Sequence, residues 1–241
     1  MGAGFSVKAK ANKSAEVLIY EDVGAGWFGG VTAKEFAAEL KALGDVTSID
    51  VRINSYGGDV FEGLAIYNQL VRHKATVTTH VDGIAASIAS VIAMAGKEIR
   101  IAESGWMMIH DAWGMAVGNA AQMREMADRL QATSHTLMQI YAARTGVDEA
   151  TLKQWMVEEK WFDASTAIES KFADSMAENL RMAARAVPEQ FAFRHAPDAI
   201  RRAAVAREES RPHPANDDVR TNLLNLSERI RARRQSRGAG A

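Results

Sequence analysis

Two rhythms of apolar and polar residues run along the chain, and they predict strands alternating with helices. Val17–Tyr20 is a short apolar run and reads as a strand. Ile49, Val51 and Ile53 alternate with polar neighbours, the period-two pattern of a half-buried strand. Thr76–Val81, Lys97–Ile101 and Trp106–His110 read as further strands. Between them the spacing changes to that of helices. Thr32 and Glu35 form a capping box, with Val31 and Phe36 placed as a hydrophobic staple, and Gly44 ends that helix. A second helix is predicted over Val60–Val71, with Leu64, Tyr67 and Val71 on one face, and a small-residue helix over Ala85–Ala95. The longest pattern, Asn119–Thr145, repeats Met123, Leu130 and Leu137 at sevens and stops at Gly146. Shorter helices are predicted over Asp148–Val157 and Ser165–Phe172. Strands alternating with helices define the α/β class.

Composition divides the chain near position 180. From Arg181 to Ala241 thirteen arginines face seven acids, a net of +6, and the remainder carries −7. All four prolines (Pro188, Pro197, Pro212 and Pro214) also lie beyond that point. The expected organisation is an N-terminal extension over 1–14, a folded domain over 15–180 and a basic tail over 181–241, flexible or partly helical, suited to an acidic protein surface or nucleic acid. Cysteine is absent, which excludes disulfides, thiolate catalysis and cysteine-ligated zinc. No signal peptide, membrane span, phosphate-binding loop or H-E-x-x-H motif is visible, and the acids do not fall at metal-ligand spacing. No metal or cofactor is expected.

The residues that can carry chemistry are a serine, a histidine and a glycine pair. Ser87 follows Gly83-Ile-Ala-Ala, where small residues allow close backbone approach at a predicted helix start. His110 ends an apolar strand before a glycine-containing loop, and His80 is an alternative by position alone. Gly57-Gly58 follows the strand ending at Ile53 and can leave a backbone N–H open to an oxyanion. A serine hydrolase needs a hydroxyl, an imidazole, an acid and backbone donors, and Ser87, His110 and the glycine pair are candidates for three of the four.

Three runs in order, INSYGGDVFEGLAIYNQL (53–70), DGIAASIASVIAMAG (82–96) and MMIHDAWG (107–114), resemble the ClpP family of self-compartmentalising serine peptidases. They look closest to the ClpP-related head-maturation proteases of tailed phages and prophages. The likeness continues through 140–152 and 158–176. It implies a β-α-β superhelix shared with crotonases and a protruding handle helix over Asn119–Thr145. It also implies Ser87 as nucleophile, His110 as base, and Gly58 and Ile88 as oxyanion donors. Register with the closing ADSM segment places the acid on Glu159, with Glu158 and Asp163 competing. Gly57, Ala112, Trp113 and Gly114 would lie along the substrate. Tyr56 stands where the family usually has proline, Ala112 where a proline usually follows the histidine, and Lys171 where glycine is usual. The resemblance further implies a cytoplasmic homo-oligomeric ring that cleaves protein substrates, among them capsid or scaffold proteins and its own tail, with no ATPase partner evident. Two rival readings are a non-catalytic capsid-assembly scaffold and a crotonase-like acyl-CoA enzyme.

Overall fold

The computed structural model describes residues 4–25, 30–177, 193–198 and 200. Eight strands form one mixed sheet: β1 (Phe5–Ala9), β2 (Ser14–Ile19), β3 (Ser48–Ser55), β4 (Thr76–Ala86), β5 (Glu98–Ala102), β6 (Trp106–Ile109), β7 (Lys160–Asp163) and β8 (Ser175–Ala177). Six helices accompany it: α1 (Ala33–Ala42), α2 (Val60–Val71), α3 (Ile88–Ala93), α4 (Ala120–Thr145), α5 (Glu149–Val157) and α6 (Ala164–Glu169). The α/β class read from the pattern is the class of the fold.

Strand order is β1-β2-β3-β4-β5-β8, with β6 and β7 branching from the far end of β4. The branch decides where the site lies. β4 has eleven residues and two parallel partners in succession. Thr78–Val81 pair with β5, and Ile84–Ala86 pair with β6. β7 then closes antiparallel on β6, with Ile109 opposite Lys160.

The capping box forms as predicted: the Glu35 N–H donates to Thr32 Oγ1 at 3.2 Å and the Thr32 N–H to Glu35 Oε2 at 3.1 Å. Val31 and Phe36 are both buried. Ile49, Val51 and Ile53 point into the core, as their alternation requires.

Several expectations are corrected. The stretch 5–9 assigned to an N-terminal extension is β1, hydrogen-bonded to β2 from Phe5↔Ile19 to Ala9↔Ala15. On α2 the buried positions are Gly63, Ile66 and Leu70, while Val71 is 53% exposed. Gly63 is the reason: a Cβ there would lie 2.2 Å from Ile88 Cγ1, so helix contact demands glycine on that face. Ala85 and Ala86 belong to β4 and not to a helix, which begins only at Ile88. α4 is capped by Asn119 and Gly146 as predicted, but of its apolar stripe only Leu137 is buried, alongside Met138, Tyr141 and Thr145. Phe162 at the centre of β7 is fully buried, and β7 and β8 are strands that periodicity did not reveal because each is too short to show two repeats.

The compact unit extends to Ala204, past the compositional break near 180. Phe193–Asp198 and Ile200 lie within it, with Ala196 and Ile200 buried. The rest of the proposed tail, and Gly26–Gly29 of the glycine-rich loop, fall outside the described residues. No helix among the described residues is long and apolar enough to cross a membrane.

Candidate active site

The sheet register brings together residues far apart in sequence. Ala86 is the register partner of Met108, and one residue further the Ser87 N–H donates to the Met108 carbonyl at 2.9 Å. β6 ends one residue later at Ile109, and His110 follows it beside the turn. The result is a 2.7 Å contact between His110 Nε2 and Ser87 Oγ. His80, the positional alternative, instead sits 2.9 Å from Asp50 Oδ1 on a neighbouring strand.

Ser87 adopts φ 54°, ψ −131°, a conformation disfavoured for a side chain with Cβ. Such strain persists only where the surroundings enforce it, and it is concentrated at functional sites. Here the enforcement is visible. The Ser87 carbonyl accepts from Ser90 N–H at 2.9 Å and from Ser90 Oγ at 2.6 Å. Ser90 Oγ in turn lies 2.8 Å from the hydroxyl of Tyr141 on α4. A buried hydroxyl chain therefore ties the serine turn to the long helix.

The glycine pair packs directly against this turn. Gly57 has φ +100°, and a Cβ on it would lie 2.8 Å from both Ser87 Cβ and the Ala86 carbonyl oxygen. Val23 N–H donates to the Gly57 carbonyl at 2.8 Å and Asp59 N–H to the Val23 carbonyl at 2.8 Å, which fixes the plane of Gly58. Among the described residues, neither the Gly58 N–H nor the Ile88 N–H donates to a protein acceptor.

On its other flank His110 meets an acid. The β6–β7 ladder ends at Ile109↔Lys160, and His110 and Glu159 are the residues that flank that end, close enough for the carboxylate charge to act on the imidazole. Burial pushes the His110 pKa below its ordinary 6.5, while the charges of Glu159 and then Asp111 oppose that shift. The lowered pKa favours the neutral imidazole at pH 7. Glu159 also holds a left-handed backbone, φ 56°. Its carboxylate is not hydrogen-bonded to His110 among the described residues. It accepts from Trp161 Nε1 at 3.2 Å, from the Arg194 N–H at 2.9 Å and from the His195 N–H at 2.8 Å. The two competing acids are engaged elsewhere. Glu158 accepts from Gln154 Nε2 at 2.9 Å, and Asp163 caps α6 by accepting from the Thr166 N–H at 2.8 Å. Hydrogen bonds from Thr166 hold the Asp163 carboxyl below the usual range.

Ala112, Trp113 and Gly114 leave the site as an irregular stretch. The Ala112 N–H donates to Ser134 Oγ at 3.0 Å, Trp113 is 65% exposed, and Gly114 lies against Met126. Beside them opens a cavity of about 800 Å³, lined in part by Asp111, Ala112, Leu130, Ser134, Met138 and Met156. Its exposed wall is mostly apolar, and Asp111, His135, Glu149 and Lys153 stand among the lining residues. No cluster of His, Asp and Glu that could hold a metal occurs among the described residues.

Sequence reasoning missed Ser90, Tyr141, Trp161 and the backbone of Arg194 and His195. Ser90 stands three residues after Ser87, a helix-start spacing that points to its carbonyl. The others carry no local signal.

Known proteins supply an independent comparison. The family model described as Clp protease matches residues 5–180. An ATP-dependent Clp protease proteolytic subunit of Ligilactobacillus salivarius is 34% identical over 142 residues, covering 58% of this chain and 72% of the relative. Proteolytic subunit 1 of Streptomyces avermitilis is 31% identical over 156 residues, covering 62% and 71%. The proteolytic subunit of Streptococcus agalactiae serotype V is 30% identical over 145 residues, covering 58% and 74%.

Proposed function

The chain belongs to the Clp protease family and is a serine-type endopeptidase, and we propose that Ser87, His110 and Glu159 are its catalytic triad. The contact of 2.7 Å between Ser87 Oγ and His110 Nε2 carries this reading. Nucleophile and base are within hydrogen-bond reach, and burial favours the neutral base at pH 7.

Ser87 Oγ bonds to the scissile carbonyl carbon as its proton passes to His110 Nε2. The carbonyl oxygen becomes an oxyanion held by the N–H groups of Gly58 and Ile88, which have no protein acceptor of their own among the described residues. Collapse breaks the C–N bond, and the imidazolium gives its proton to the leaving amine. His110 then takes a proton from water as the water oxygen attacks the acyl ester; collapse breaks the ester C–Oγ bond, the imidazolium returns its proton to Ser87 Oγ, and the carboxylic acid product leaves. Glu159 stabilises the imidazolium in both halves and fixes its orientation. An extended substrate adds along Gly57 on one side and Ala112–Gly114 on the other. One of its side chains enters the cavity next to Ala112.

The substrates we assign are proteins of an assembling phage head, in the cytoplasm of the host or inside the procapsid, with the enzyme acting as a homo-oligomeric ring. Support comes from the three runs that resemble head-maturation proteases and from the arginine-rich C-terminal sequence, suited to an acidic scaffold surface. A fluorophosphonate probe should label wild-type chain, with the adduct mapping to Ser87. Labelling elsewhere, or peptide cleavage that survives Ser87→Ala, would refute the triad. Procapsids assembled with the Ser87→Ala chain should retain uncleaved head proteins; normal processing there would refute the substrate assignment.

A further inference from the structure

We propose that the segment Phe193–His195 is a positioning element of the catalytic site, which holds Glu159 beside His110 through two backbone N–H groups. This inference rests on the triad reading above.

Trp106, Met108 and His110 alternate to one side of β6; Trp161 on β7 is the register partner of Met108, and Glu159 flanks the end of that ladder. Ile84, Ala86, Met108 and Tyr56 form a small apolar cluster on this face, separate from the main core. Phe193 packs on that cluster. Its ring lies 5.5 Å from Trp161 at 85°, 6.2 Å from His110 at 82° and 6.1 Å from Tyr56. Edge-to-face contacts at these separations are the favoured arrangement of aromatic rings.

Phe193 thus sets the height of the next two residues above the sheet. Their N–H groups then meet both oxygens of one carboxylate, Arg194 at Oε2 and His195 at Oε1. His195 Nδ1 adds a 2.8 Å contact to the Glu158 carbonyl, which ties the segment to the same backbone turn. Ala196 and Ile200 are buried, which anchors the far end of the segment.

The alternative is a plug, a stretch of chain lying where substrate should. The contacts argue against it. Its hydrogen bonds go to the Glu159 carboxylate and the Glu158 carbonyl, and its ring contacts to Trp161, His110 and Tyr56. Glu159 needs the support: its backbone is left-handed, its only other hydrogen-bond donor among the described residues is the Trp161 indole, and misplacement of about 1 Å in a catalytic group can cost on the order of 100-fold.

Full-length wild type, Ser87→Ala, His195→Pro, His195→Ala and Trp161→Phe should be compared by peptidase kinetics across pH. Proline removes the N–H at 195 and alanine retains it. Phenylalanine at 161 keeps a ring against Phe193 but loses the indole donor. The expected result is a loss of about 10-fold or more in kcat with KM little changed for His195→Pro. His195→Ala recovers most of the rate, and Trp161→Phe shows a smaller loss. The acidic limb of the rate profile also moves to lower pH in the two impaired variants. The sign follows from charge: Glu159 and Asp111 are the groups that raise the His110 pKa, and a displaced Glu159 raises it less. A merely destabilised chain would lose rate without moving that limb. Equal rates for His195→Pro and His195→Ala, an unmoved limb, or a higher kcat on loss of the N–H would each overturn the inference. Activity that survives Ser87→Ala would instead overturn the triad itself, whatever His195 does.

Discussion

His110 has two flanks built in different ways. The serine flank is specified chiefly by the sheet: β4 and β6 are paired neighbours, and their ladder brings Ser87 beside the imidazole. The acid flank is assembled from three parts, namely the start of β7, an indole and a stretch of backbone more than thirty positions further on. A ladder resists small errors because every backbone bond must shift together. A carboxylate held by three donors from separate places has no such cooperativity. The serine flank should therefore respond to mutation abruptly and the acid flank in grades.

Ser87→Ala gives the largest effect, a fall on the order of 10⁶ in kcat measured by single-turnover peptide cleavage. Glu159→Gln comes next. It leaves the serine–histidine pair in place but removes the charge that stabilises the imidazolium, and kcat should fall on the order of 10⁴. Its acidic limb should move to lower pH, because the largest influence raising the His110 pKa is gone and burial acts with less opposition. A limb that moves upward would mean that Glu159 does not face the histidine in the working enzyme, and the contrast between the flanks would collapse.

The same contrast explains what could be read from sequence. The strands around the serine flank were legible because Ile49, Val51 and Ile53 alternate and the glycines punctuate their ends. The helix predicted from Ala85 starts three residues later, at Ile88, since alanine satisfies both a fully buried strand and a helix. β7 was invisible: four residues, one of them Phe162, hold no measurable period. The acid flank fared worst. Backbone donors at Arg194 and His195 have no side-chain signature, and arginine-rich surroundings read as an appendage. Contact with Glu159 is a property of the fold, not of composition. Identity of the acid came only from the family resemblance, with Glu158 and Asp163 as competitors; in the structure Glu158 and Asp163 hydrogen-bond to Gln154 and Thr166.

Gly57→Ala tests the serine flank without touching a reacting atom. Its Cβ would lie 2.8 Å from the Ala86 carbonyl oxygen and from Ser87 Cβ, on a backbone with φ +100°. Nothing flexible is there to yield, so the turn must move. A shift of about 1 Å in Oγ would cost on the order of 100-fold in kcat. Fluorophosphonate labelling should slow in parallel, since it uses the same nucleophile. Unimpaired labelling would show that the ladder absorbs the insertion and that the flank is less rigid than its register implies.

Tyr141→Phe carries the smallest effect and probes what lies behind the ladder. Ser90 Oγ donates to the Ser87 carbonyl, so the 2.8 Å contact between Ser90 and Tyr141 has the phenol as donor. Burial pushes the Tyr141 pKa up, so this donor stays protonated throughout the working range. Phenylalanine fills the same volume and removes one donor. Ser90 keeps its bond to Ser87, and only its acceptor lone pair loses a partner. The loss should be about 1 kcal/mol of stability, read as a fall of roughly 2–4 °C in Tm by calorimetry. Because the β4–β6 ladder positions Ser87 independently of that phenol, kcat should change little. If kcat instead fell a hundredfold at unchanged Tm, the strained serine turn would owe its geometry to α4 and not to the sheet, and the serine flank would prove as composite as the acid one.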